Sequence, residues 1–284
     1  MLLSAAIIWG SSFIIMKNAV DFLTPALLLS IRFILASIFL SILFFKELKK
    51  YPKNKILGGI LTGFCLFIAY YVQTWGLSFT TPGKNAFLTS VYCAIVPFLI
   101  WAIYKKRPDT YHFIAALLCV AGIGFISLDY DLSVNRGDIL TLMSGFLYAV
   151  HILLINHYSN EKDGKAFTVL QFYGASLISL SFALLSEDMS LAYKITPSIY
   201  LQLGYLAFFA TGIAMLCQTL GQTLVSQCKA SILLSLESVF GVLFSVLFYK
   251  EAITLKVFIG FLLVFCAIIV SETKLSFLRK EENI

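Results

Sequence analysis

Charge is scarce in this chain: Asp, Glu, Lys and Arg make up 13% of its 284 residues, where soluble domains carry about a quarter. No polar stretch is long enough for a separate soluble domain, so one anchored globular unit is a poor alternative. The formal charge of +6 does not point to nucleic acid, because the lysines gather in short connections without aromatic partners. The six cysteines (Cys65, Cys93, Cys119, Cys217, Cys228, Cys266) include no C-x-x-C pair, which argues against redox and zinc sites and leaves them as small apolar side chains. Basic residues are missing ahead of the apolar run Leu2–Met16, so that run reads as a first span, not a cleaved signal.

Catalytic signatures are missing too. There is no G-x-x-x-x-G-K-[ST] and no loop that could house an ATPase, nor any H-E-x-x-H. The aspartates (Asp21, Asp109, Asp129, Asp131, Asp138, Asp163, Asp188) all fall in connections or at span ends, which argues against an intramembrane hydrolase. Neither an enzyme, a cofactor nor a metal is expected.

What is present is apolar: 60% of the residues, with a mean hydropathy of +0.90. A spanning helix needs about 20 mostly apolar residues, and ten blocks qualify: 2–17, 26–45, 56–78, 85–104, 111–128, 138–156, 166–185, 199–219, 230–249 and 257–273. Continuous runs of this length are helices, not the ten-residue alternation of a barrel. The connections after the even-numbered spans and the tail 274–284 hold fourteen Lys and Arg, with "KELKKYPKNK" (46–55) the richest; the other side holds six. The positive-inside rule then puts both termini in the cytoplasm of an inner membrane.

The segment "KNAFLTSVYCAIVPFLIWAIYK" (84–105) lies without gaps over "KASILLSLESVFGVLFSVLFYK" (229–250), at a constant offset of 145. Five spans per unit is an odd number, so the second unit enters the membrane upside down. The expected fold is all-α and integral to the membrane: ten transmembrane helices as two inverted five-helix repeats, 1–131 and 138–273, then the cytoplasmic tail 274–284.

Together with this pattern, "IIWGSSFIIMKNAV" (7–20), "GLSFTTPGKNAFLTSVYCAIVPFL" (76–99) and "LLSLESVFGVLFSVLFYKEAIT" (233–254) resemble the EamA family of the drug/metabolite transporter superfamily. Two positions depart from its pattern: Ser238 follows Glu237 where the family commonly has proline, and Lys250-Glu251 stands for its "GE" turn. The resemblance implies transport but not a substrate.

Glu237 is the single charged residue between Lys229 and Lys250. Eight residues in from Lys229, it lies about 12 Å deep at 1.5 Å per residue, close to the middle of a hydrocarbon core about 30 Å thick. Its repeat mate is Tyr92. A carboxylate there calls for a wet cavity or a partner; a neutral glutamic acid tying spans together is the alternative. Arg32 could snorkel to the headgroups or hold an anionic group of the substrate, and His151 could be a hydrated histidine near the cytoplasmic end or a titrating cavity group. Trp9, Ser11, Ser12, Tyr70, Gln73, Trp75, Asn85, Thr89, Ser90, Gln218 and Gln222 supply further polar and aromatic groups on the spans, each of which could equally serve packing. Gly59, Gly63, Gly122, Gly124, Gly241 and Gly260 read as close helix contacts, and Pro97 as a kink.

The expected cavity set is Glu237, Tyr92, Trp9, Ser12, Tyr70, Gln73, Thr89, Arg32 and His151, and the expected activity is gradient-driven export of small metabolites or amino acids. Its partners would be a small-molecule substrate, the lipid bilayer and protons, with no nucleic acid; the sequence does not set an oligomeric state. Removal from water favours the neutral form of a carboxyl group, which makes Glu237 the natural proton-coupling residue. The competing reading is a nucleotide-sugar or phosphorylated-metabolite carrier, which would need more cavity cations than Arg32 and Lys84.

Overall fold

Three helices of the chain open on Thr-Pro, with the threonine extended and the proline in the first turn (Thr24-Pro25, Thr81-Pro82, Thr196-Pro197). The missing proline N–H costs nothing there, and its fixed φ is already helical. A computed structural model describes residues 1–127, 135–194 and 196–273. The connection 128–134, with Asp129 and Asp131, and the tail 274–284 lie outside the described residues.

Among the described residues the chain is helical and without strands. The long elements are α1 (Leu2–Val20), α2 (Pro25–Leu43), α3 (Ile56–Leu77), α4 (Pro82–Tyr104), α5 (Thr110–Ser127), α6 (Arg136–Tyr158), α7 (Gly164–Ser186), α8 (Pro197–Gln222), α9 (Gln227–Tyr249) and α10 (Leu255–Thr273). Eight of these segments are long and apolar enough to cross a membrane; Thr110–Ile126 and Leu255–Val270 are shorter apolar helices. A short helix, Phe45–Lys49, follows α2. Ile42, Leu117, Leu185, Leu201 and Phe248 leave large apolar surfaces exposed, as lipid-facing positions do. The chain is a multi-pass membrane protein.

Several span edges extend beyond the apolar runs. Lys17 belongs to α1, where its Nζ donates to the Leu77 carbonyl at 2.7 Å. Asp138 sits at the start of α6, as expected for a span end, but it is 0% exposed, accepting from Thr80 Oγ1 at 2.8 Å beside Lys84 Nζ at 3.6 Å.

Helix α4 is broken at Ser90–Val91, not at Pro97. Val91, Cys93 and Ala94 donate to carbonyls three residues back, and Ser90 Oγ takes the Ala86 carbonyl, so the turn before Tyr92 is tightened by side-chain competition for backbone bonds. Pro97, in the second turn of the helix that restarts at Tyr92, gives up only the bond to Cys93 and needs no break. Near the middle of α8, Tyr205–Ile213 is wound as a π-helix, and so is the last turn of α9, Ser245–Tyr249.

Packing is tightest where glycine lets backbones touch. A Cβ on Gly63 would stand 2.0 Å from the Gln171 carbonyl oxygen, and one on Gly174 would stand 2.3 Å from that of Ile60, so α3 and α7 cross in direct main-chain contact. Helix α1 packs along α9, α3 along α6, α4 against α9 and α6, and α5 along α10.

Candidate functional site

Tyr92 and Glu237 meet at the centre of the molecule. Both are buried, Glu237 at 5% exposure, and both line one cavity together with Trp9, Ser12, Phe13 and Met16 of α1, Tyr70 and Gln73 of α3, Thr89 of α4, Tyr148 and Ile152 of α6, Gln218 of α8 and Leu234 of α9. The Tyr92 hydroxyl lies beside the Glu237 carboxyl without an ordinary hydrogen bond to it. Among the described residues, Glu237 is the only charged one in the lining. The cavity measures about 30 Å³, which is room for two or three waters at about 10–15 Å³ each.

A hydrogen-bonded chain forms one wall. Tyr148 Oη donates to Gln73 Oε1 at 2.8 Å, and Gln73 Nε2 donates to Thr89 Oγ1 at 2.9 Å. Asn85 Nδ2 reaches Thr141 Oγ1 at 2.8 Å next to it. Tyr70 meets Tyr148 edge-on at 5.5 Å between ring centroids. Trp9 Nε1 donates to the Ala210 carbonyl at 2.7 Å, inside the π-helical stretch of α8. Such a stretch pairs its carbonyls five residues on and occurs preferentially at functional sites.

Two expected cavity residues lie outside this lining. Arg32 is 1% exposed, so it does not snorkel to the headgroups: its Nε donates to Thr211 Oγ1 at 3.1 Å, Nη1 contacts Met16 Sδ at 2.7 Å, and the guanidinium lies 5.1 Å over the Tyr70 ring. It therefore reaches the cavity only through Met16 and Tyr70, as a buried cation held by a ring face and neutral acceptors. His151 is likewise fully buried, not hydrated; its Nε2 stands 2.8 Å from Gln171 Oε1, and Gln171 Nε2 continues to Thr219. Ile152 faces the cavity, and the neighbouring His151 faces α7.

Phe13, Met16, Ile152 and Leu234 are lining residues that polarity alone does not reveal. The helical spacing of Trp9, Ser12, Phe13 and Met16 would have revealed two of them, since i, i+3, i+4 and i+7 share one face. Among the described residues there is no group of three or more His, Cys, Asp or Glu placed to hold a metal ion, and no disulfide.

Comparison with known proteins agrees with this architecture. The chain matches the EamA-like transporter family over residues 1–128 and 135–273. It is 32% identical over 265 residues to an uncharacterized transporter of Archaeoglobus fulgidus, spanning 93% of this chain and 82% of that protein. It is 21% identical to the uncharacterized transporter YoaV of Bacillus subtilis, over 94% of both chains. A solved structure titled "Crystal structure of protein" shares the fold at a TM-score of 0.73 over 98% of both chains, with 14% identity. The chain belongs to the EamA-like transporter family, within the drug/metabolite transporter superfamily.

Proposed function

We propose that the protein is a secondary transporter that exports small metabolites or amino acids by alternating access around the Glu237–Tyr92 cavity. The observation that carries the reading is the placement of one carboxyl group, with no cation in the lining, among hydroxyl, amide and aromatic groups at the centre of the helices. A charge at such depth costs about 2.5–3.5 kcal/mol, which favours the neutral acid at rest and leaves the carboxyl able to take up and release a proton. Proton exchange at Glu237 gives the carboxyl a use. Ligand pockets run to about 300–1,000 Å³, so a cavity of about 30 Å³ has to widen to admit substrate, and the helices must part.

Two inverted repeats, 1–131 and 138–273, would supply that motion. Features at the offset of 145 favour them. Thr81 and Ser226 cap their helices by accepting from the backbone N–H of Lys84 and Lys229, and Lys105 and Lys250 end theirs at φ 59° and 55°. The packing is closed under a shift of five helices: α1 with α9 corresponds to α6 with α4, α3 with α6 to α8 with α1, and α3 with α7 to α8 with α2. The excess of Lys and Arg in 46–55, 105–107 and the tail favours an inner-membrane protein with both termini cytoplasmic. A phosphorylated-metabolite carrier is disfavoured, since Arg32 stands behind Tyr70 and no Lys or Arg lines the cavity.

The experiment is a metabolite profile of the medium from cells expressing the wild type, Glu237→Gln or an empty vector at matched membrane levels. The reading expects one compound class to accumulate outside with the wild type only. Equal profiles for wild type and vector would refute export.

A further inference from the structure

The basic stretch 46–55 has no part in the central cavity, yet it does more than mark one face of the membrane. Between the short helix Phe45–Lys49 and the start of α7 it builds a second pocket, of about 380 Å³, lined by Glu47, Lys50, Tyr51, Pro52, Lys55, Asn160, Lys162, Asp163 and Ala166.

The two carboxylates in this lining already have partners. Asp163 accepts from Lys55 Nζ at 2.8 Å, from the Asn160 backbone N–H at 2.9 Å and from Asn160 Nδ2 at 3.0 Å. Glu47 faces Lys165 at 3.7 Å. Among the described residues Lys50 and Lys162 are not held in an ion pair, so the pocket keeps a positive excess. Tyr51 adds an independent sign of a missing ligand: its residue is 7% exposed, its ring is packed on Ile155, Phe167 and Leu170, and its hydroxyl is buried without a hydrogen-bond partner. An unpaired buried hydroxyl is costly. Burial, and then the nearby Asp163 charge, push the Tyr51 phenol above its usual range, so it stays a donor. The pocket also opens beside the first turn of α7, a 23-residue helix whose N-cap makes no side-chain bond, where anions are favoured.

We infer that this pocket binds the phosphate headgroup of an anionic phospholipid, held by Lys50, Lys162 and the Tyr51 hydroxyl. A lipid fits better than free phosphate because Ile42, Leu43, Phe45 and Leu57, on the segments that frame the basic stretch, are exposed apolar side chains against which acyl chains would lie. Juxtamembrane lysines attract anionic lipid by about 1 kcal/mol each. The headgroup would seat where Lys55 of the first half meets Asp163 of the second, at the seam between them.

The test uses the full chain in detergent, titrated with short-chain phosphatidylglycerol, short-chain phosphatidylcholine or inorganic phosphate, with thermal stability as the readout. Phosphatidylglycerol should protect the wild type at concentrations where the other two do not. Lys50→Gln with Lys162→Gln should weaken that protection roughly tenfold or more at an unchanged lipid-free melting temperature, and Tyr51→Phe should weaken it severalfold. Lys46→Gln with Lys53→Gln removes the same charge outside the lining and should leave protection intact. Equal protection by phosphate would overturn the lipid assignment; equal protection by phosphatidylcholine, an unaffected Lys50/Lys162 variant, or an equal loss in the Lys46/Lys53 control would overturn the site.

Discussion

Ser90 and Ser235, 145 positions apart in the chain, touch: Ser90 Oγ, which donates to the Ala86 carbonyl at 3.1 Å, shares its one proton with the Ser235 carbonyl at 3.4 Å. Each stands two residues before a central group, Tyr92 or Glu237. The crossing of α4 and α9 is therefore built from corresponding positions, and small hydroxyl residues there let the backbones close in. Both serines are buried, at 0% and 1% exposure.

That closeness makes volume the sensitive variable at Ser90. Ser90→Ala keeps the size and should cost less than about 1 kcal/mol, whereas Ser90→Val forces two methyl groups into a full crossing at about 1–3 kcal/mol. Thermal unfolding of the purified variants in one detergent separates them, and equal melting temperatures would mean that the crossing is looser than described.

Glu251 illustrates a contact across the whole chain. Its carboxylate accepts from the Gly83 backbone N–H at 3.0 Å and from the hydroxyls of Thr81 and Ser245, so the connection after α9 caps the start of α4. Glu251→Ala leaves these donors unpaired at a positive helix end and should lower stability by about 1–2 kcal/mol. Glu251→Gln should recover part of it, because one acceptor oxygen remains. A scan showing both variants at the wild-type melting temperature would contradict the cap.

Much of this fold was legible because a membrane leaves the backbone few options: apolar runs of sufficient length must be helices, and Lys84 and Lys229 anchor segments that align residue by residue. Seven of the nine expected cavity residues line the central cavity, since polar side chains on buried spans have few other places to go. Glu251 could not be assigned as a cap, because its partner lies 168 positions away and nothing local signals the contact. The break at Ser90 was hidden for another reason: proline is a visible breaker and serine is not. Arg32 and His151 look like cavity residues by type, but which helix face they occupy is decided by packing against α8 and α7.

Arg32 tests that distinction directly. A snorkelling arginine tolerates lysine, but the buried one is held by a planar guanidinium over Tyr70 and by a directed bond to Thr211. Arg32→Lys should therefore destabilise the protein by about 1–3 kcal/mol, having lost the fork and the ring contact. Unfolding temperature and detergent-extracted yield measure it, and a lysine variant as stable as wild type would show that the charge alone suffices.

Glu237 and Tyr92 separate a proton-coupling role from a structural one. Glu237→Gln preserves shape and hydrogen-bonding capacity but cannot exchange a proton, so the fold should persist while gradient-driven transport falls by at least about tenfold, as expected for losing a group that moves a proton. Tyr92→Phe removes only a hydroxyl that makes no ordinary hydrogen bond, so it should keep transport within a few fold and alter its apparent affinity for substrate more than its rate. The assay is substrate flux in proteoliposomes with an imposed pH gradient and with none. If Glu237→Gln loses the response to the gradient but still equilibrates substrate, the carboxyl couples the two flows. If its flux follows the gradient as the wild type's does, the carboxyl serves packing, and coupling must be sought at another group.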